Sequence, residues 1–220
     1  MKVQTPNRVA AIVVACAMSA AAFGAAGAAA TDRPIKIVAL GDSLTAGFGL
    51  PAAETFPTKL GQALAARGLS VSIVDAGVSG DTASGGLARL NWSVPDGTDA
   101  VILELGANDA LRGVDPAVTR RAIGAIVRQL RARRIAVLLC GMLAPPNLGA
   151  DYTGKFNQIF PDIAAAYGAL YYPFFLNGVA TVQGLNQPDG LHPTAQGFDV
   201  IVSKILPSVE GLIAWARSGS

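Results

Sequence analysis

The chain has 220 residues, 51% of them hydrophobic, with a formal net charge of +2. That is enough for one domain with a substantial core. The charge excess is too slight to indicate a nucleic-acid partner, and one histidine with the one cysteine beyond residue 30, Cys140, cannot assemble a His/Cys zinc site.

Residues 1–30 have the organisation of a secretory signal peptide. Lys2 and Arg8 form a positive start, Val9 to Ala22 is apolar, and Ala28-Ala29-Ala30 offers a small-residue cleavage site. The stretch is short and Ala-rich for a membrane span. An exported protein, periplasmic or secreted, with residues 31–220 as its single domain and no stable membrane span after cleavage, is the expectation. A lipoprotein anchored at Cys16 is the alternative, because Val13-Val14-Ala15-Cys16 loosely resembles a lipobox. Loss of Lys2 and Arg8 takes the 17 basic residues to 15, equal to the 15 acidic ones. Only Cys140 then remains, so no intramolecular disulfide can form.

Ile35 to Leu40 is an apolar run with the character of a strand buried on both faces, leading into Gly41-Asp42-Ser43-Leu44. Glu54 to Arg67 carries Phe56, Leu60, Ala63 and Leu64 at helical spacing, and Gly68 ends it. Ser70 to Val74 is a second strand, followed by a loop over 75–82 and a short helix from Thr82 to Leu90. Pro95-Asp96-Gly97 is a turn, and Ala100 to Leu105 is a third strand that runs into Gly106-Ala107-Asn108-Asp109.

Asp115-Pro116 opens a helix with Ile123, Ile126, Val127 and Leu130 on its apolar face. Arg128, Arg131, Arg133 and Arg134 crowd its end. They read as a solvated face suited to the helix dipole rather than as an anion or membrane patch. Ile135 to Cys140 is a fourth strand, with a Gly/Pro/Asn loop to Tyr152. A helix over 153–167, broken or kinked by Pro161, precedes a short fifth strand, Ala169 to Tyr172. The last helix begins near Pro193, and Pro207 should kink or interrupt it. The alternation of strand and helix implies a parallel sheet between helical layers, a three-layer α/β/α domain.

In such sheets the loops beyond the carboxyl ends of the strands form the ligand site. Those loops carry Ser43, Gly80, Asn108, Asp189 and His192. His192 is the only histidine, three residues after Asp189, so the carboxylate can fold back and fix the ring's tautomer while the other nitrogen takes a proton from Ser43. Backbone N–H groups of Gly80 and Ser43 and the side-chain amide of Asn108 could bind a developing oxyanion. Taken singly, a turn or helix-cap role accounts as well for Ser43, and turn chemistry for Gly80 and Asn108.

Gly41-Asp42-Ser43-Leu44, the Gly80 loop, Gly106-Ala107-Asn108-Asp109 and Asp189-Gly190-Leu191-His192-Pro193 match, in order, the four blocks of the SGNH (GDSL) hydrolases. The resemblance covers residues 35–206 and is nearest to the exported bacterial thioesterase I, lysophospholipase and arylesterase group. Ser79-Gly80-Asp81-Thr82, Leu87-Ala88-Arg89-Leu90 and Leu111-Arg112-Gly113 carry that closer match. Ala107 departs from it, standing where close relatives often have glycine.

The resemblance implies a flavodoxin-like sheet of five parallel strands. It makes Ser43 the nucleophile, His192 the base, Asp189 its orienter, and Ser43, Gly80 and Asn108 the oxyanion hole. It further implies a serine esterase or thioesterase acting on acyl esters, thioesters or lysophospholipids, without cofactor, metal or nucleic acid. Carbohydrate O-deacetylation or acyl transfer is a second enzymatic reading. A non-catalytic flavodoxin-like binding module is a third, against which Gly47-Phe48-Gly49 lacks the rest of a phosphate-loop spacing. Leu143, Pro145, Pro146 and Leu148, on the loop after the fourth strand, are expected to wall the substrate site.

Overall fold

The computed structural model describes residues 1–4 and 33–219. Most of the expected leader, Cys16 included, lies outside the described residues.

β1 (Ile35–Gly41) is bonded on both sides, to β2 (Val71–Gly77) and to β3 (Ala100–Glu104). β4 (Ala136–Cys140) and β5 (Leu170–Tyr172) complete a sheet of order β2-β1-β3-β4-β5 in which every pair is parallel. This is the flavodoxin-like order. The three central strands are apolar because helices cover both their faces. Every residue of β3 and β4 is buried.

The register lines up the strand ends. Gly41 pairs with Gly77 and Glu104, Glu104 with Cys140, and Cys140 with Tyr172. The loops therefore leave the sheet from one level edge.

Several boundaries differ from the sequence reading. β2 runs three residues beyond Val74, through Asp75, Ala76 and Gly77. Pairing with β1 outweighs the poor strand propensity of Asp and Gly, and no residue of this edge strand is fully buried. α2 (Phe56–Ala66) starts two residues later than expected, after a 3₁₀ turn at Ala52–Glu54, and Pro57 sits in its first turn. Further on, α3 (Ala83–Ala88) is followed by α4 (Leu90–Ser93), where one helix was expected.

The expected helix over 153–167 is two helices, α7 (Ala150–Asn157) and α8 (Ile159–Tyr167). The break falls at Gln158, not at Pro161. A proline has no N–H for the carbonyl four residues back, here Asn157, and its ring crowds that carbonyl. Pro161 is accommodated in the first turn of α8. Pro207, by contrast, does not interrupt α9 (Ala195–Arg217). Its helix keeps Phe198, Ile201, Val202, Ile205, Leu206, Val209, Leu212 and Ile213 buried on one face, which holds it continuous across the missing bond.

α2 and α9 pack together, joined by Lys59–Asp199 and Arg67–Glu210 ion pairs. α6 (Pro116–Ala132) packs against α3 and α8. Among the arginines crowding the end of α6, Arg131 and Arg133 have structural partners. Arg131 lies over the Trp215 ring at 4.3 Å and donates to the Ile135 carbonyl, and Arg133 donates to that of Val94.

At the opposite, amino-terminal edge, Asp99 accepts from both Arg33 nitrogens at 2.6 and 2.7 Å and from the Lys36 N–H at 2.8 Å. The Arg33 hydrogen bond holds the Asp99 carboxyl below its usual range. A depressed carboxylate stabilises the fold above the pKa of its unfolded form, and that stability is lost as pH falls through the folded value. Arg33 is more than half exposed, so solvent screens the pair and its contribution to stability is small. Urea unfolding of Asp99→Asn at neutral pH should show this small loss, and the gap from the parent should close as pH is lowered below the ordinary aspartate range.

Candidate active site

Ser43 is the first residue of α1 (Ser43–Ala46), just beyond β1. It does not cap this turn. Asp42 does, its Oδ1 accepting the Leu44 N–H at 2.9 Å. The Ser43 hydroxyl is thus left free to point elsewhere, and it lies 2.9 Å from His192 Nε2.

The sharp bend before Ser43 requires glycine. A Cβ on Gly41 would overlap Thr45 Oγ1 and stand 2.6 Å from the Glu104 carbonyl oxygen.

His192 sits on the loop before α9. Asp189 folds back on it, with Oδ1 accepting the Leu191 and His192 N–H groups at 2.9 and 3.0 Å and Oδ2 lying 2.6 Å from His192 Nδ1. A carboxylate oxygen only accepts, so Nδ1 carries the ring proton and Nε2 is left to accept from Ser43. The hydrogen bond from His192, helped by the two backbone donors, brings the Asp189 carboxyl down to about 2.

Gln187 fastens this loop to the segment that follows Ser43. It donates from Nε2 to the carbonyls of Phe48 (2.7 Å) and Pro193 (3.0 Å). The Phe48 ring covers the imidazole at a centroid distance of 4.6 Å.

Gly80 lies in the turn after β2 with φ +82°, a conformation that favours glycine. Arg112 Nη2 donates to its carbonyl at 2.8 Å. Asn108 lies in α5 (Ala107–Leu111), and its Nδ2 donates to Asp42 Oδ2 at 3.0 Å. Asn108 Nδ2 has a second hydrogen, and among the described residues neither the Ser43 nor the Gly80 N–H meets an acceptor. Asp109, fully buried, secures the Asn108 turn by accepting from the Ala83 N–H and the Thr119 hydroxyl.

Of the expected substrate wall, Leu143 and Pro146 are exposed and Pro145 is half-buried. Leu148 is half-buried and packs on the core. Two surface grooves, one lined by Arg120, Arg121 and Tyr167 and one by Lys59, Arg67 and Asp199, include none of these residues.

Sequence reasoning assigned no role to the residues that tie the loops together: Gln187 and Glu104, which it did not single out, and Arg89, Arg112 and Asp42, which it quoted only as parts of family blocks. A charged residue at the end of a buried apolar strand, Glu104, was the available signal. Arg89 makes the most connections. It donates to Asp81 Oδ2 (2.7 Å), the carbonyls of Ala76 (2.9 Å) and Gly41 (2.8 Å), and Ser93 Oγ (2.9 Å). One guanidinium thus joins the Gly80 turn to the end of β1.

Residues 39–200 match the family model of the GDSL-like Lipase/Acylhydrolase family. Esterase TesA of Pseudomonas aeruginosa is 36% identical over 178 residues, 80% of this chain and 89% of that protein. Thioesterase 1/protease 1/lysophospholipase L1 of Escherichia coli K12 is 32% identical over 187 residues, 84% of this chain and 87% of that protein. The crystal structure of AlinE4, a SGNH-hydrolase family esterase, superposes with a TM-score of 0.69 at 44% identity, covering 81% of this chain and 96% of that one.

Arg89 and Asp81 are both largely buried, so removing the guanidinium leaves the Asp81 carboxylate without its cation and takes a donor from the Ala76 and Gly41 carbonyls. Arg89→Met should cost about 2–4 kcal/mol in urea unfolding. It should also speed hydrogen exchange at the Val78 amide, which bonds the same Gly41 carbonyl.

Proposed function

Because the chain belongs to the GDSL-like lipase/acylhydrolase family, we propose that it is a serine esterase that hydrolyses esters or thioesters of acyl groups through an acyl-enzyme on Ser43. The observation that carries this reading is the unbroken hydrogen-bonded line from Ser43 Oγ through His192 to Asp189.

In the reaction, Ser43 Oγ attacks the acyl carbonyl as its proton passes to His192 Nε2. Asp189 stabilises the imidazolium so formed and keeps the ring in its working tautomer. The charge that develops on the carbonyl oxygen is met by the Ser43 and Gly80 N–H groups and by the second Nδ2 hydrogen of Asn108. His192 then returns the proton to the departing alcohol or thiol. Water, activated by the same imidazole, releases the acid and restores Ser43.

The loop carrying Leu143, Pro145, Pro146 and Leu148 serves as a wall for the acyl chain, with Leu143 offering the exposed apolar surface. Thioesters and lysophospholipids enter as candidate substrates through the name of the Escherichia coli relative. Residues 1–30 act as an export signal, which puts the enzyme in the periplasm or outside the cell. Among the described residues no helix is long and apolar enough to cross a membrane. Assays on p-nitrophenyl esters of graded length, an acyl-CoA and a lysophospholipid sort these substrate classes.

Ser43→Ala should abolish both p-nitrophenyl ester hydrolysis and covalent labelling by a fluorophosphonate. Substantial residual activity would refute the assignment.

Asp189→Asn tests the tautomer argument separately. An asparagine oxygen can still accept from the Leu191 and His192 N–H groups, which turns its amide N–H towards Nδ1. The ring proton is then driven to Nε2, where it blocks transfer from Ser43. kcat should fall roughly 10³- to 10⁴-fold, the scale of a wrong tautomer in Ser-His-Asp enzymes, with KM little changed.

A further inference from the structure

Below the nucleophile turn lies a pair of buried carboxyl groups that the reaction as described does not use. Glu104 ends β3, the central strand, and is 1% exposed; Asp42 is fully buried. Glu104 Oε2 accepts from the Thr45 hydroxyl at 2.8 Å and, at 3.4 Å, from the Asp42 N–H. Glu104 Oε1 is buried with no hydrogen-bond partner among the described residues. Asp42 differs. Each of its oxygens takes an N–H, Oδ1 from Leu44 and Oδ2 from Asn108.

Two adjacent carboxylates away from water repel each other, and each pays a large desolvation cost if charged. Among the described residues neither forms an ion pair with a cation. The titratable groups that face them are His192, whose charge acts on Asp42, and Cys140, which neighbours Glu104 across the sheet. Cys140 is itself a buried thiol pushed well up by burial, so it supplies no positive charge. The pair is therefore stable only with a proton bound.

The donors decide which member holds it. Two N–H groups aimed at Asp42 stabilise its anion, whereas the orphaned Oε1 of Glu104 is satisfied if it becomes a hydroxyl and donates. The two carboxyls interact side chain to side chain, so a proton on Glu104 has the Asp42 carboxylate as an acceptor. Burial pushes both groups up from the usual carboxyl range.

We propose that Glu104 is a positioning residue that holds a proton at neutral pH, and that its uncharged carboxyl keeps Asp42 anionic and aimed at the Asn108 amide. Asp42 in turn fixes one Nδ2 hydrogen of Asn108 and leaves the other directed at the oxyanion. The kinetic part of this inference rests on the assignment of Asn108 to the oxyanion hole. The protonation part does not.

Three substitutions and one spectrum test it. Glu104→Gln keeps the shape, can accept from Thr45 and can donate to Asp42, so kcat should stay within about fivefold of the parent. Glu104→Ala removes the support, and kcat should fall about 10- to 100-fold with KM little changed. In the Asn108→Ala background, Glu104→Ala should add little further loss, because both act through the same amide.

Infrared difference spectra of parent against Glu104→Gln at neutral pH, with ¹³C-labelled glutamate, should show one protonated carboxyl that the substitution removes. Absence of that band overturns the protonation whatever the activities are. A Glu104→Gln enzyme as slow as Glu104→Ala, with an unchanged melting temperature, overturns the positioning role. If Glu104→Ala fails to fold, the Glu104→Gln kinetics and the spectrum still decide. An active Ser43→Ala enzyme would instead strike the proposed reaction and leave the infrared result standing.

Discussion

The Asp42 carboxylate is the junction on which this site depends. One oxygen caps the turn that begins with Ser43, and the other holds the side chain of Asn108. The turn of the proposed nucleophile and the amide proposed to face the oxyanion are thus fixed to a single buried group. Small movements at such groups change reaction rates steeply. Burial makes the arrangement rigid, because an unpaired carboxylate oxygen there would be costly. Burial also creates the need for a neighbour that does not compete as a second charge.

The same economy of contacts holds the remaining loops. The parallel sheet delivers five chain segments to one edge, but it does not orient them relative to one another. Long polar side chains do that. Arg89 joins the end of β1 to the Gly80 turn, Arg112 joins that turn to the segment after α5, and Gln187 joins the histidine loop to the Phe48 carbonyl. These donors bond carbonyls of loops and strand ends, so the contacts that position the site also stabilise the loops. Arg89 takes four acceptors at once, which a lysine cannot do with comparable geometry.

The resting hydrogen bonds already have the directions the chemistry needs. Asp189 accepts from three N–H groups, two of them backbone, and remains a carboxylate through the neutral range. The imidazole is thereby pinned before substrate arrives. Phe48 adds an apolar cover on the ring, while Ser43 itself is almost buried. Little reorganisation separates this arrangement from the first proton transfer, which is the physical content of preorganisation.

By itself the sequence determined the order of strands and helices, the parallel sheet, the apolar faces of α2, α6 and α9, and the family. These follow from local periodicity, turn residues and short blocks whose spacing survives without coordinates. Helix ends were less legible. The break at Gln158 and the passage of α9 through Pro207 turn on whether packing compensates a missing hydrogen bond, and a proline looks the same in both places. Only the tertiary structure decided which residues meet. Asp189 and His192 are near in sequence, and their pairing could be inferred from that nearness. Ser43 and His192, Asp42 and Asn108, Glu104 and Thr45, and Arg89 and Gly41 are far apart in the chain, and their hydrogen bonds depend on sheet register and loop path. A glutamate inside a buried strand carries no mark in sequence that says whether it is charged, because that is set by the donors and carboxyls the fold brings around it.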